Sequence, residues 1–144
     1  MNYQKITKER MDHAWSIVES GGIDSAISSG QLAQYLDSTV SEMIILGLLK
    51  QTVRNFFCVL GHGSTEIGEV LRIYQDAGLV KVFDVRNEIE ASHAATAYNW
   101  VSGQHAAVIT SIGPGAMQAL AGSLVPASNG KGVWYLMGDE TTQD

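Results

Sequence analysis

The run Val80-Lys81-Val82-Phe83-Asp84-Val85, continuing into Arg86-Asn87-Glu88-Ile89-Glu90-Ala91-Ser92-His93-Ala94-Ala95, decides the fold. Its first six residues read as an apolar strand. The rest opens a helix predicted from Glu88 to Val101, with Gly103 beyond its end. A carboxylate pair, Glu88 and Glu90, stands at the junction, and the helix body holds more Ala than an ordinary surface helix. In α/β folds the mouth of such a strand–helix junction is where ligand chemistry is placed.

The same alternation continues on both sides. Upstream, Phe56-Phe57-Cys58-Val59-Leu60 reads as a buried strand, followed by the loop Gly61-His62-Gly63-Ser64. Thr65 to Ala77 then forms an amphipathic helix, with Ile67, Val70, Leu71 and Tyr74 inward and Gly78 as its stop. Downstream come a strand from Ala106 to Thr110, the turn Gly113-Pro114-Gly115, a helix from Ala116 to Val125 and a last strand from Gly132 to Met137. Near-continuous apolar strands separated by helices of this length imply βαβ units on a parallel sheet. Right-handed crossovers place helices on both faces. The expected fold is a doubly wound α/β three-layer sandwich of at least four parallel strands.

A helical N-terminal segment, residues 1–38, precedes the α/β domain of residues 39–144. It is read as a helix from Thr7 to Glu19 ended by Gly21-Gly22, then a short helix from Ser29 to Leu36. Thr39 followed by Glu42 has the capping-box spacing. The helix it opens, Met43-Ile44-Ile45-Leu46-Gly47-Leu48-Leu49, is apolar nearly all round, which implies burial on more than one side. No internal repeat or low-complexity linker interrupts the chain.

Composition excludes several classes of function. The chain has 144 residues, enough to bury a real core. Nine basic residues against fifteen acidic ones give a net charge of −6, so no basic stripe is available for a nucleic-acid backbone. The single Cys58 rules out an internal disulfide, and its apolar setting marks a buried structural thiol. The N-terminus lacks the apolar core of a signal peptide, and no apolar run reaches the roughly 18 residues of a membrane span. Cytoplasmic placement is the default expectation.

Four groups of residues could carry chemistry. The Gly61–Ser64 loop leaves a strand and enters a helix, so its backbone can approach an anion. It is neither a Walker A loop nor the dinucleotide fingerprint. Two readings stand: a tight turn with a solvated His62, or His62 facing a substrate as donor or acid/base. The turn Thr110-Ser111-Ile112-Gly113-Pro114-Gly115-Ala116 reads as a capped helix start, or as backbone against which a ligand packs. Glu88 is either a partner of its helix dipole or a catalytic carboxylate. Glu90 and His93 share a helical face, but no further ligands accompany them, so no metal site is expected. The stretch Gly138-Asp139-Glu140-Thr141-Thr142 reads as a solvated tail in preference to an acidic site.

In order, these motifs resemble the pyrimidine-binding domain of thiamine-diphosphate enzymes. Arg86-Asn87-Glu88, with Ala91-Ser92-His93-Ala94-Ala95 and Ala97-Tyr98, is similar to that domain's Arg-His-Glu…Ala-Ala-His…Ala-x-Gly-Tyr segment. Thr110 to Ala116 resembles its Thr-Ser-Gly-Pro-Gly-Ala-Thr-Asn turn, with Ile112 extra or substituted. Val59-Leu60-Gly61-His62-Gly63 falls where the family has Phe-Gly-x-Pro-Gly. The resemblance runs from Thr39 to Thr142, and the Gly-His-Gly loop looks nearest the trihydroxycyclohexanedione hydrolases, with acetolactate synthases as more distant relatives.

The resemblance implies that Glu88 hydrogen-bonds N1′ of the cofactor's aminopyrimidine and favours its imino tautomer, which then takes the thiazolium C2 proton. A carboxyl removed from water can share a proton with a weakly basic ring nitrogen in this way. Gly61, Gly113, Pro114 and Gly115 would lie at the cofactor or a partner domain, and His62 would face the substrate, a 2-oxo acid or cyclic diketone. Ala91, Ala94, Ala95 and Ala97 would let helices approach at a subunit interface, or simply favour the helix. Diphosphate and Mg²⁺ belong to a second domain with a Gly-Asp-Gly motif and a later Asn. Here the corresponding residues are Gly138-Asp139-Glu140, Asn87 replaces the family's His, and the helix and strand that usually follow the last strand are lacking.

The expectation is therefore a fragment, a subunit or a stand-alone remnant that is active only with a companion diphosphate-binding domain, and a homodimer. A non-catalytic binding or assembly module is the rival reading. An unrelated nucleotide-binding α/β protein, taking phosphate at Gly61 to Ser64, is a third.

Overall fold

Short strands of large apolar residues can bury both faces only inside a helical shell, and the two central strands of the sheet do so while the edge strands stay exposed or half-buried. The computed structural model describes residues 3–139. In chain order it contains α1 (Tyr3–Glu19), α2 (Ile23–Ser28), α3 (Val40–Lys50), β1 (Asn55–Val59), α4 (Thr65–Asp76), β2 (Lys81–Asp84), α5 (Glu88–Ser102), β3 (Ala106–Thr110), α6 (Pro114–Gly122), α7 (Leu124–Ser128) and β4 (Val133–Met137). The strands pair wholly in parallel in the order β2-β1-β3-β4. Register sets Phe56 against Ala107 and Cys58 against Ile109. Among the described residues no helix is long and apolar enough to cross a membrane.

Alternation along the strands divides the core in two. Phe56, Cys58, Ala107 and Ile109 face the layer built from α1 to α4. Phe57, Ala106 and Val108 face α5 and α6, where Ala91, Ala95 and Ala119 complete the packing. Cys58 is buried on the first side, and loss of hydration pushes its thiol up to about 12. This is the expected three-layer sandwich.

Three local expectations are corrected. The short N-terminal helix is Ile23–Ser28, not Ser29 to Leu36. Ile23 and Ala26 turn one face inward, and Gly30 in the left-handed region (φ 75°) leads the chain into the irregular residues 31–39. The helix expected from Ala116 to Val125 is two pieces, α6 and α7, joined at Ser123. Pro126 has no N–H to offer the Gly122 carbonyl, so a continuous ladder is impossible there. Helix α3 buries Ile45, Leu46, Leu48 and Leu49, while Met43, Ile44 and Gly47 face outward. Its burial is narrower than its composition suggests.

Thr39 caps α3 as anticipated, its hydroxyl accepting from the Glu42 amide at 3.3 Å. The Glu42 carboxylate does not close the box. It turns inward, accepting from Tyr74 Oη at 2.8 Å and from Ser38 Oγ, and lies 3.0 Å from His13 Nδ1. Arg10 of α1 is fully buried beside it, with Nε 4.0 Å from the carboxylate and Nη2 donating to Thr39 Oγ1 (2.8 Å) and Glu66 Oε1. Burial by itself would raise the Glu42 pKa. The hydrogen bonds from His13, Ser38 and Tyr74 outweigh it and hold the carboxyl below its usual range.

On the other face, α5 and α6 touch through small side chains. A Cβ at Gly122 would lie 2.5 Å from Ser92 Cβ and 3.4 Å from Ile89 Cα. Ser92 Oγ reaches the Ala119 carbonyl at 3.2 Å. Ala91 and Ala95 thus serve packing within the chain and not between subunits; Ala94 is half-buried and Ala97 exposed.

Two measurements test this packing. Gly122→Ala is expected to lower the unfolding free energy by about 1–3 kcal/mol, read from urea titration. The hydrogen bond to Glu42 raises the His13 pKa above its ordinary 6.5 against the opposing effect of burial. Its contribution is therefore full below 6.5 and lost as pH rises through the raised value. The wild-type urea midpoint should fall across that window, and His13→Gln should remove the fall.

Candidate functional site

Sheet winding reverses at the central pair. From β1 the chain moves outward to β2, whereas from β3 it moves the opposite way to β4. The loops after β1 and β3 therefore leave toward different faces, and a crevice opens at their carboxyl ends. Three backbone bonds bind this edge together: Ser111 N to Val59 O (3.2 Å), Ile112 N to His62 O (3.1 Å) and Gly138 N to Thr110 O (3.2 Å).

Glycines permit the closeness. A Cβ at Gly61 would stand 3.0 Å from Ser111 Cβ, and one at Gly138 would stand 3.1 Å from His62 O. Gly63, at φ 78°, has its Cβ position filled by Ile112 and by the Asp139 backbone. Ser64 is buried, and its hydroxyl lies 3.1 Å from both the amide and the carbonyl of Gly61. The Gly61–Ser64 loop thus folds onto itself and onto its neighbours instead of forming an open phosphate cradle. His62 is exposed on its crest.

Glu88 is the first residue of α5 and is only 7% exposed. The adjacent Asn87 performs the capping, its Oδ1 accepting from the Glu90 amide at 2.9 Å. Glu90 itself is exposed and pairs at 3.7 Å with Arg86. The Glu88 carboxylate is spared both tasks, and no side-chain hydrogen bond to it is found among the described residues. It lies against the first turn of α6: a Cβ on Gly115 would come within 2.8 Å of Glu88 Oε1 and 2.5 Å of Ser111 Oγ. The first turns of two helices, α5 and α6, therefore meet at one buried carboxylate.

Gly113 caps α6 at φ 58°, with open space where its side chain would be, and Pro114 is exposed at the first helical position. The edge thus brings together the Gly61–Ser64 loop, Glu88 and the Gly113–Gly115 turn. His93 is exposed on α5, and among the described residues no group of three or more His, Cys, Asp or Glu side chains gathers as a metal site. Residues 140–142 lie outside the described residues. Ser111, which borders both Gly61 and Gly115, belongs to the Thr110–Ala116 turn read from the sequence but was not singled out there. Its position directly after β3, before the Gly-Pro-Gly turn, was the available signal.

Residues 38–143 match the family model described as thiamine pyrophosphate enzyme, N-terminal TPP binding domain. The chain belongs to this family. It is also similar to 3D-(3,5/4)-trihydroxycyclohexane-1,2-dione hydrolases. The protein from Bacillus licheniformis is 40% identical over 80 residues, covering 54% of this chain and 12% of the relative. That from Bacillus subtilis is 39% identical over the same share of each chain. The relative from Shouchella clausii is 34% identical over 110 residues, covering 74% of this chain and 16% of its own length. The matched part is thus a small fraction of these relatives.

The donor set fits the cofactor that this family carries. A buried carboxylate with no side-chain hydrogen bond among the described residues can meet a ring nitrogen, and Gly115 leaves the room that carboxylate needs. In urea unfolding, Gly115→Ala should cost about 1–3 kcal/mol. In a Glu88→Ala background the cost should be clearly smaller, because one of the two obstructed atoms is gone.

Proposed function

We propose that this chain supplies the pyrimidine side of a thiamine-diphosphate site, with Glu88 as the catalytic carboxylate. The observation that carries the reading is the burial of Glu88 without a side-chain partner at the winding reversal, while Asn87 does the capping. When bound, thiamine diphosphate supplies the nucleophilic carbon and the electron sink for breaking or making a C–C bond beside a carbonyl. Glu88 holds a proton between its carboxyl and the ring nitrogen it meets. Gly115, with no side chain of its own, leaves the space that this carboxyl occupies. The exposed backbone of Gly113 and Pro114 and the Gly61 turn border the cofactor, and His62 faces the substrate as donor or acid/base. The similarity to trihydroxycyclohexanedione hydrolases supports a cyclic diketone or 2-oxo acid as substrate.

Diphosphate and Mg²⁺ are held, on this reading, by a companion domain, and the working assembly is a cytoplasmic homodimer. Exposed apolar residues on α5 to α7, namely Trp100, Val101, Met117, Leu120 and Leu124, are consistent with a covered face.

With the companion domain supplied, Glu88→Gln should lower turnover by about 10²-fold or more while circular dichroism and the urea midpoint stay at wild-type values. Unchanged turnover would refute the assignment. Calorimetric titration with thiamine diphosphate and Mg²⁺ separates this reading from a non-catalytic module: tight binding should return only when the companion domain is added.

A further inference from the structure

Glu66 stands in the first turn of α4, two residues after Ser64, and α1 holds both of its carboxylate oxygens. Arg10 Nη2 donates to Oε1 and Tyr3 Oη donates to Oε2 at 2.9 Å. Arg10 is itself immovable: it is fully buried, and the same Nη2 donates to Thr39 Oγ1, the cap of α3. The bond from Arg10 holds the Glu66 carboxyl below its usual range despite the opposing effect of its partial burial. Beyond Glu66, Ser64 closes on the amide and carbonyl of Gly61, so the first turn of α4 and the Gly61–Ser64 loop form one rigid unit. The chain of contacts runs from the N-terminal helix to the residue that flanks His62.

We propose that α1 is a brace for the substrate-facing loop, with Arg10, Tyr3 and Glu66 as positioning residues that fix where His62 stands at the crevice. The inference rests on the reading above for the role of His62, but the brace itself is a property of this chain alone. Side-chain packing of α1 on α4 would hold the two helices together without any ion pair. A charge-assisted pair aimed at the first turn of α4 adds something packing does not supply, a fixed rotation and axial position for that turn.

The test is amide hydrogen exchange on the full chain without cofactor or substrate, comparing Glu66→Ala and Tyr3→Phe with Ile17→Val. Ile17 is a buried apolar residue of α1, and its variant weakens the core without touching Glu66. Exchange at Gly61 to Ser64 should rise about tenfold in Glu66→Ala, the scale of one charged hydrogen bond, with β1 and β3 still protected. Glu66→Gln, which keeps an acceptor for Arg10, should recover part of that protection. With the assembled enzyme, Glu66→Ala should also raise KM more than it lowers kcat. Loop exchange that follows global stability equally in Glu66→Ala and Ile17→Val would overturn the brace. The reading of Glu88 stands or falls separately, on the turnover of Glu88→Gln.

Discussion

Because crossovers between parallel strands are right-handed, the step from β1 out to β2 and the step back across it to β3 must lay α4 and α5 on opposite faces of the sheet. Everything at the carboxyl edge follows from that handedness. The loop after β1 peels toward one layer and the loop after β3 toward the other, so neither covers the gap between them. Glycine at 61, 63, 115 and 138 then lets the loops meet without filling that gap with side chains. Glu88 enters from β2, the strand beyond β1, at the start of the helix that crosses over β1 to β3. Its carboxylate reaches the crevice because α5 lies on the same face as α6 and meets it through Ala119 and Gly122.

The opposite face is organised differently. There α1, α3 and α4 surround a buried cluster in which Arg10 meets Glu42 and Glu66, and Glu42 in turn meets His13, Ser38 and Tyr74. Buried ion pairs contribute little net stability, because desolvation offsets most of the attraction. Arg10 illustrates this: its Nε and Nη1 have no hydrogen-bond partner among the described residues. Such a cluster favours one placement of α1, since displacing the helix would carry Arg10 away from the carboxylates of Glu42 and Glu66. The N-terminal helix is therefore fixed in rotation as well as in contact.

Sequence patterns made the α/β body legible because each strand there is a short apolar run between glycine-marked turns. β3 was predicted with its observed bounds, and β1, β2 and β4 within a residue or two. Glu88 was legible from its place between strand and helix. Its relief from capping was not, because Asn87 looked like a departure from a family pattern and not like a cap. Local signals failed in residues 21–39, where serine and glycine obscure a six-residue helix whose burial depends on α1 and α3. The break at Ser123 was available from Pro126 and was missed. The Arg10–Glu66 contact could not be read at all. It joins residues 56 apart on two separate helices, and no local pattern says which residues of one helix meet the other.

The buried guanidinium also orders events in time. Arg10 is made 56 residues before its partner Glu66, with the whole of α3 and β1 between them. The full burial of this cation against Glu66 requires α4 to be in place. Helix α1 therefore gains this partner only after α4 has been made. The pair can close only on a chain that already includes the strand β1 and the loop that carries His62.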